Sequence, residues 1–134
     1  MPIDETVSWT RTFHEGDVRA FSLVSGDEGR QHVVPDEHGR LMVQGLLTAT
    51  LPSKIGGDMS FLARQMTFHF HRPVFVGDTI RCEVKIDQLD GPPGRLRLSC
   101  SWICTNQEGT TVMTGGSEGV VLPSSSPGDP SSRE

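Results

Sequence analysis

The sequence is poor in cysteine, the residue that cross-links secreted domains. Its 134 residues contain three cysteines, namely Cys82, Cys100 and Cys104, and no CxxC pair. An odd count without that motif is typical of a reducing compartment and argues against a disulfide scaffold. We interpret all three as small buried hydrophobic residues of β-strands.

Long apolar runs and an excess of basic residues are also missing. No stretch approaches the ~20 apolar residues of a membrane span, and residues 1–9 lack the basic start and apolar core of a signal peptide. We therefore expect a cytoplasmic protein without a membrane partner. The formal net charge of −5 argues against a general nucleic-acid-binding protein, which would carry a basic excess.

Several fingerprints of nucleotide, covalent and metal chemistry are absent. The sequence has no Walker loop, no dinucleotide-binding glycine pattern and no nucleophile elbow. His69 and His71 are spaced to face the same way on a strand, but no nearby third ligand completes a metal site. We therefore expect neither a metal nor a redox cofactor.

The length suits one domain. We predict that residues 1–122 form this domain. Residues 123–134, PSSSPGDPSSRE, have no apolar side chain that could pack, so we predict a disordered tail.

The first half of the chain changes pattern several times. Alternation over 7–13 predicts a strand, and the helical spacing that follows predicts a short helix capped by Gly26. The polar stretch 28–40 is typical of a loop. The segment 43–55 is apolar nearly all round and predicts a buried helix that ends at the glycine pair 56–57. Pro52 must either kink this helix or mark its last turn.

From Met59 onward the period becomes two, which predicts about four antiparallel strands. Two of them should span 79–89 and 111–122, the latter with a possible bulge at Gly115 and Gly116. One buried helix against a curved antiparallel sheet is an α+β layout.

Three segments resemble one enzyme family, in that family's order. FSLVSGDEGRQH, residues 21–32, resembles the Ser/Thr-Gly-Asp-x-Asn-Pro-x-His signature of the MaoC-like (R)-specific enoyl-thioester hydratases. VQGLL, residues 43–47, is similar to the family's Val-His-Gly-Met-Leu helix start. FHRPVFVGD, residues 70–78, is similar to its Phe-x-x-Pro-Val-x-x-Gly-Asp turn. The resemblance covers roughly residues 13–122.

The resemblance implies a hotdog fold, in which a curved sheet wraps one central helix and two subunits pair at a sheet edge. It also implies a hydro-lyase that adds water to a 2-enoyl thioester or removes it from a 3-hydroxyacyl thioester. Asp27 and His32 would be the catalytic acid–base pair, and the Gly45 N–H would stabilise the thioester carbonyl at a helix start. Coenzyme A or an acyl carrier protein would carry the acyl group, and the protein would be a homodimer.

Other side chains are candidates for the substrate pocket. Gln44 stands where the family has His, and Met42, Met59 and Phe61 are apolar residues that could line an acyl pocket, as could Leu62 and Met66. Gly29 and Arg30 stand where the family has Asn-Pro. Two alternatives therefore stay open: a hotdog acyl-thioester hydrolase, and a non-catalytic subunit that binds a ligand or a partner.

Overall fold

A computed structural model describes residues 4–123. The strands are β1 to β5 in chain order: Thr6–Thr12, Phe61–Phe70, Thr79–Asp90, Leu96–Thr105 and Thr111–Val121. The helices are α1 to α4: Glu15–Ser25, Arg30–Val33, Gly45–Thr48 and Thr50–Asp58. The predicted tail lies outside the described residues apart from Pro123.

All five strands form one antiparallel sheet in the order β1-β3-β4-β5-β2. Alternate residues of the middle strands are buried under the helices, as the two-residue period predicted. They are Ile80, Cys82, Val84 and Ile86 in β3 and Leu98, Cys100, Trp102 and Cys104 in β4. This is the predicted α+β hotdog architecture, and all three cysteines are free and buried as expected.

The central helix is not one continuous element. The sequence predicted a single helix over 43–55, but α3 ends at Thr48 and α4 begins at Thr50. Pro52 explains the interruption, because it has no N–H for the Thr48 carbonyl and its ring crowds that carbonyl. Of the two effects predicted for Pro52 the kink is confirmed, whereas the predicted end of the helix at the glycine pair was wrong, since α4 continues through Gly56 and Gly57 to Asp58.

The stretch 28–40 is not purely loop. It contains the single-turn helix α2, in which the Val34 N–H donates to the Arg30 carbonyl at 2.8 Å. Pro35 follows at once and stops the turn. One turn buries too few residues to show a helical period, so the polar sequence gave no sign of it.

Gly115 and Gly116 do not form a bulge. Both stay in register with β4, opposite Trp102 and Ser101, whereas β2 is irregular between Ala63 and Gln65. Close packing requires a glycine at position 115. A Cβ there would clash with the Thr67 carbonyl oxygen and lie 2.8 Å from the Trp102 Nε1.

We predict that Gly115→Ala lowers the free energy of unfolding by at least about 2 kcal/mol, because the added methyl overpacks the sheet beside Trp102. Gly16→Ala is the matched control, since a Cβ at Gly16 in α1 meets nothing within 4 Å. It should leave stability unchanged or raise it slightly. Urea denaturation measures both, and equal stability of the two variants would contradict the packing argument.

Candidate functional site

Asp27 follows α1 in a tight turn. Gly26 ends the helix in the left-handed region, with φ of 77°. The Asp27 N–H then donates to Ser25 Oγ at 3.0 Å, and Asp27 Oδ1 accepts the Gly29 N–H at 3.2 Å. One carboxylate oxygen is thus tied to the turn, and the other, Oδ2, points toward α2.

His32 is presented by α2 and is fixed by one strong hydrogen bond. Its side chain is 6% exposed, and Nδ1 lies 2.7 Å from the Met42 carbonyl oxygen. A carbonyl oxygen only accepts, so Nδ1 must carry the proton. In the neutral ring Nε2 is therefore the acceptor, and it lies 3.7 Å from Asp27 Oδ2.

The two side chains differ in how far they are exposed to solvent. Asp27 is 48% exposed, whereas His32 is nearly closed off. The 3.7 Å gap is long for a direct hydrogen bond, but a single water can lie about 2.8 Å from each atom. The arrangement can thus present one water to a carboxylate and to an imidazole acceptor at once.

His32 lines two cavities, and Asp27 is not among the wall residues of either. The one of about 340 Å³ has walls from α2, α3 and the segments around β2 and β5. We call it the His32 cavity. Its lining includes Met42, Gly45, Thr48, Phe70 and Met113. Gly45 is the first residue of α3, where N–H groups have no partner within the helix. The Phe70 ring covers one side of Gly45. Its carbons lie 3.0–3.3 Å from the position that a Cβ on Gly45 would occupy.

A second, apolar cavity lies farther along the helices. It measures about 220 Å³ and is lined by α4, β2 and the middle of the sheet, and Met59 and Phe61 are among its wall residues together with Met66. We call it the apolar cavity. Met42 therefore lies in one cavity and the pair Met59 and Phe61 in the other.

Gln44 has a different environment from the one that the sequence suggested. It is 1% exposed, and its Nε2 donates to the Val18 carbonyl at 3.1 Å and to Ser22 Oγ at 2.9 Å, both in α1. It is not among the residues that line the two cavities. Gln44 ties the start of α3 to the helix that precedes Asp27, so the side chain holds two parts of the site together and does not face a ligand.

His69, in β2, and His71, just after it, do not assemble a metal site with other residues of 4–123. The His69 and His71 rings stack with centroids 6.4 Å apart, and His71 Nε2 lies 2.7 Å from Thr114 Oγ1. Within residues 4–123, no group of three or more His, Cys, Asp or Glu side chains is placed to hold a metal ion. In the same range, no helix is both long and apolar enough to cross a bilayer.

Comparison with known proteins confirms the fold. The profile of the thioesterase superfamily matches residues 42–91, and no curated protein matches the chain. An (R)-hydratase from A. caviae involved in PHA biosynthesis superposes with a TM-score of 0.81 and 25% identity, over 92% of this chain and 98% of that one.

Two further solved structures are similar. The R-hydratase PhaJ1 from Pseudomonas aeruginosa gives a TM-score of 0.80 at 22% identity, covering 93% of this chain and 84% of its own. A MaoC-like dehydratase from Rhodospirillum rubrum gives 0.70 at 16% identity, covering 94% and 96%. The predicted hotdog fold and the predicted likeness to MaoC-like proteins and (R)-hydratases are both confirmed.

We predict that Gln44→Ala lowers the free energy of unfolding by roughly 1–3 kcal/mol, because it leaves Ser22 Oγ buried without its partner. Gln88→Ala on the exposed surface of β3 is the matched control and should change stability by less than about 0.5 kcal/mol. Urea unfolding curves measure both. If Gln44→Ala is as stable as its control, the hydrogen bonds from Gln44 to α1 do not stabilise the fold.

Proposed function

We propose that the protein is a hydro-lyase that adds water to a 2-enoyl thioester, or removes it from a 3-hydroxyacyl thioester, with Asp27 and His32 as the acid–base pair. The observation that supports this most strongly is the orientation of His32. Its proton is held at Nδ1 by the Met42 carbonyl, and its Nε2 faces the Asp27 carboxylate across 3.7 Å.

The reaction needs one water and two proton movements. His32 Nε2 accepts a proton from the water while the water oxygen bonds to C3 of the enoyl group. Asp27 accepts the second hydrogen bond of that water, which orients it, and stabilises the imidazolium that forms. The proton on Nε2 then passes to C2, so the double bond has gained one hydroxyl and one hydrogen. Dehydration is the reverse sequence.

The carbonyl of the thioester gains negative charge while C2 has carbanion character. The Gly45 N–H, at the start of α3 beside His32, is the donor that we assign to this oxygen. Loss of one such donor typically costs about 3–4 kcal/mol of transition-state stabilisation. Gln44 is a positioning residue in this proposal, since its bonds to α1 fix where Gly45 lies.

Two side chains and an amide donor suffice for this chemistry, so we expect no metal or redox cofactor. The acyl group would arrive on coenzyme A or on an acyl carrier protein. The three free cysteines fit a reducing compartment such as the cytoplasm. Of the three solved structures compared above, two are described as hydratases and one as a dehydratase, which supports the reaction class.

We predict that the protein hydrates trans-2-enoyl-CoA, followed by the loss of enoyl absorbance. Asp27→Asn and His32→Gln should each lower kcat by about 10²–10⁴-fold. The first removes the carboxylate that orients the water and stabilises the imidazolium, and the second removes the group that carries the proton. Asp87→Asn and His38→Gln make the same changes at exposed positions and should keep kcat within about twofold. Unchanged turnover in both site variants would contradict the assignment.

The alternative is an acyl-thioester hydrolase, and the match to the thioesterase superfamily over 42–91 favours it. In that reaction Asp27 would activate the water that attacks the carbonyl held at Gly45. A saturated acyl-CoA distinguishes the two reactions, because it has no double bond to hydrate. If the saturated acyl-CoA releases free thiol and the enoyl substrate is not hydrated, the protein is assigned as a hydrolase and not as a hydro-lyase.

We further propose a homodimer paired along β2. This strand is an edge of the sheet formed by residues 4–123, so within that range one row of its backbone groups has no partner strand. Met66 and Phe70 are exposed on it. Such an edge invites pairing with another copy. Phe70 also covers Gly45, so a partner at this edge would close the His32 cavity.

Sedimentation equilibrium at micromolar concentration should therefore give twice the chain mass of 14.6 kDa. Phe70→Lys should lower the dimer fraction, because a charge would be buried at the edge, while Ile103→Lys, an equally exposed residue of β4, should not. A purified protein that sediments as a single chain would overturn the homodimer and favour a different partner.

A further inference from the structure

Two of the residues that line the His32 cavity are buried and carry a polar side chain. One is His32, which is 6% exposed, and the other is Thr48, the last residue of α3, which is 2% exposed. The remaining buried residues of the wall are apolar, namely Val43, Val74, Val112 and Met113. The proposed reaction uses His32 but leaves Thr48 without a role.

The Thr48 hydroxyl differs from the other hydroxyls of α3 and α4 in having no hydrogen bond. Serine and threonine inside helices often bond back to a carbonyl three or four residues earlier. Thr50 Oγ1 donates in this way to the Leu47 carbonyl, and Ser53 Oγ donates to the Ala49 carbonyl. No hydrogen bond joins the Thr48 hydroxyl to any residue of 4–123, so its proton is free for a ligand.

The unpaired hydroxyl reaches the open space of the cavity. Within residues 4–123, the fully enclosed side-chain atoms without a hydrogen-bond partner are Gln44 Oε1 and Trp102 Nε1. Thr48 Oγ1 is not one of them, so it touches the space that Thr48 lines. Taking a hydroxyl out of bulk water without a new partner costs free energy, and a valine of similar shape would avoid that cost. The hydroxyl therefore indicates that a polar group of a ligand lies in the His32 cavity.

Thr48 lies one helical turn after Gly45. Residues three apart share one face of a helix, and both of these residues line the His32 cavity. Helical side chains lean toward the start of their helix, so the Thr48 side chain extends back over the turn that begins at Gly45. The hydroxyl and the Gly45 N–H thus reach the same part of the cavity, and both are hydrogen-bond donors.

We propose that the Thr48 hydroxyl donates a hydrogen bond to the carbonyl oxygen of the bound thioester, beside the Gly45 N–H. This proposal rests on the proposed function, because that function places the carbonyl at Gly45. The hydroxyl keeps its proton and forms no covalent bond. Its contribution grows as the carbonyl oxygen gains negative charge, so it lowers the reaction barrier more than it strengthens binding of the substrate.

Thr48→Val removes the hydroxyl and keeps a side chain of similar shape. With trans-2-enoyl-CoA as substrate, this change should lower kcat by about 10²-fold and alter KM by less than about threefold, because the lost hydrogen bond is strongest in the transition state. Thr48→Ser retains a hydroxyl and should recover most of the lost kcat. Thr10→Val makes the same change at an exposed position of β1 and should leave both constants unchanged.

The stability of Thr48→Val separates this role from a structural one. The hydroxyl has no partner in the fold, so its removal should leave the urea midpoint of unfolding unchanged or raise it. A lower midpoint would show that the hydroxyl bonds within the protein, and the proposal would then be wrong.

A saturated thioester tests the hydrogen bond without hydration. The probe is butyryl-CoA labelled with ¹³C at its carbonyl, and all proteins carry Asp27→Asn so that hydrolysis does not consume it. The measurement is the infrared band of the bound carbonyl, which a hydrogen-bond donor moves to lower frequency. The band should lie at higher frequency with Thr48→Val than with the parent protein, Thr48→Ser or Thr10→Val. An identical band with and without Thr48→Val overturns the proposal.

The two proposals fail separately. Hydration of the enoyl substrate, with kcat and the carbonyl band unchanged in Thr48→Val, keeps the hydro-lyase and removes the second donor. A carbonyl band that depends on the Thr48 hydroxyl, without hydration of any trans-2-enoyl-CoA, keeps the donor and removes the hydro-lyase.

Discussion

The hydrogen bond from His32 Nδ1 to the Met42 carbonyl is the interaction on which the candidate site depends. It fixes the tautomer, the ring orientation and the place of Nε2 in one contact. Backbone hydrogen bonds fix the segment that supplies this carbonyl. The Met42 N–H donates to the Gln31 carbonyl, and the Val43 N–H donates to the Val74 carbonyl at 2.7 Å. The orientation of the imidazole is thus set by backbone hydrogen bonds and not by flexible side chains.

The buried side chain of Gln44 also helps to position the site. Gln44 is a fully buried amide whose Nε2 donates to α1, while its Oε1 has no hydrogen-bond partner among residues 4–123. Burying an unpaired acceptor is costly, and a well-packed apolar residue would avoid that cost. What the amide provides is a fixed distance between α1, which leads into Asp27, and α3, which begins at Gly45.

The sequence predicted the sheet well because the sheet follows a simple rule. Ile80, Cys82, Val84 and Ile86 alternate with polar residues, and a half-buried strand needs that period. Gly26 was recognisable as a helix cap for a similar local reason. The likeness of the segments around Asp27, Gly45 and Asp78 to one family predicted the hotdog fold, which purely local patterns could not have identified.

What could not be predicted was decided by tertiary contacts. The helical turn that carries His32 is too short to leave a pattern. Gly115 is required by the indole of Trp102 across the strand pair, a constraint that is invisible along the chain. The same holds for Gly56 and Gly57, which were expected to end a helix because nothing in the sequence shows that a cavity lies beside them. The direction of the Gln44 side chain likewise depends on where α1 packs.

The position of the proton on the neutral His32 ring is the most direct test of the proposed site. Long-range ¹H–¹⁵N correlation spectra of the imidazole nitrogens, recorded at a pH where the ring is neutral and assigned with His32→Gln, report which nitrogen carries the proton. We expect a protonated Nδ1 and an unprotonated Nε2. A neutral ring protonated at Nε2 would have no acceptor facing Asp27, and the proposed activation of water would be wrong.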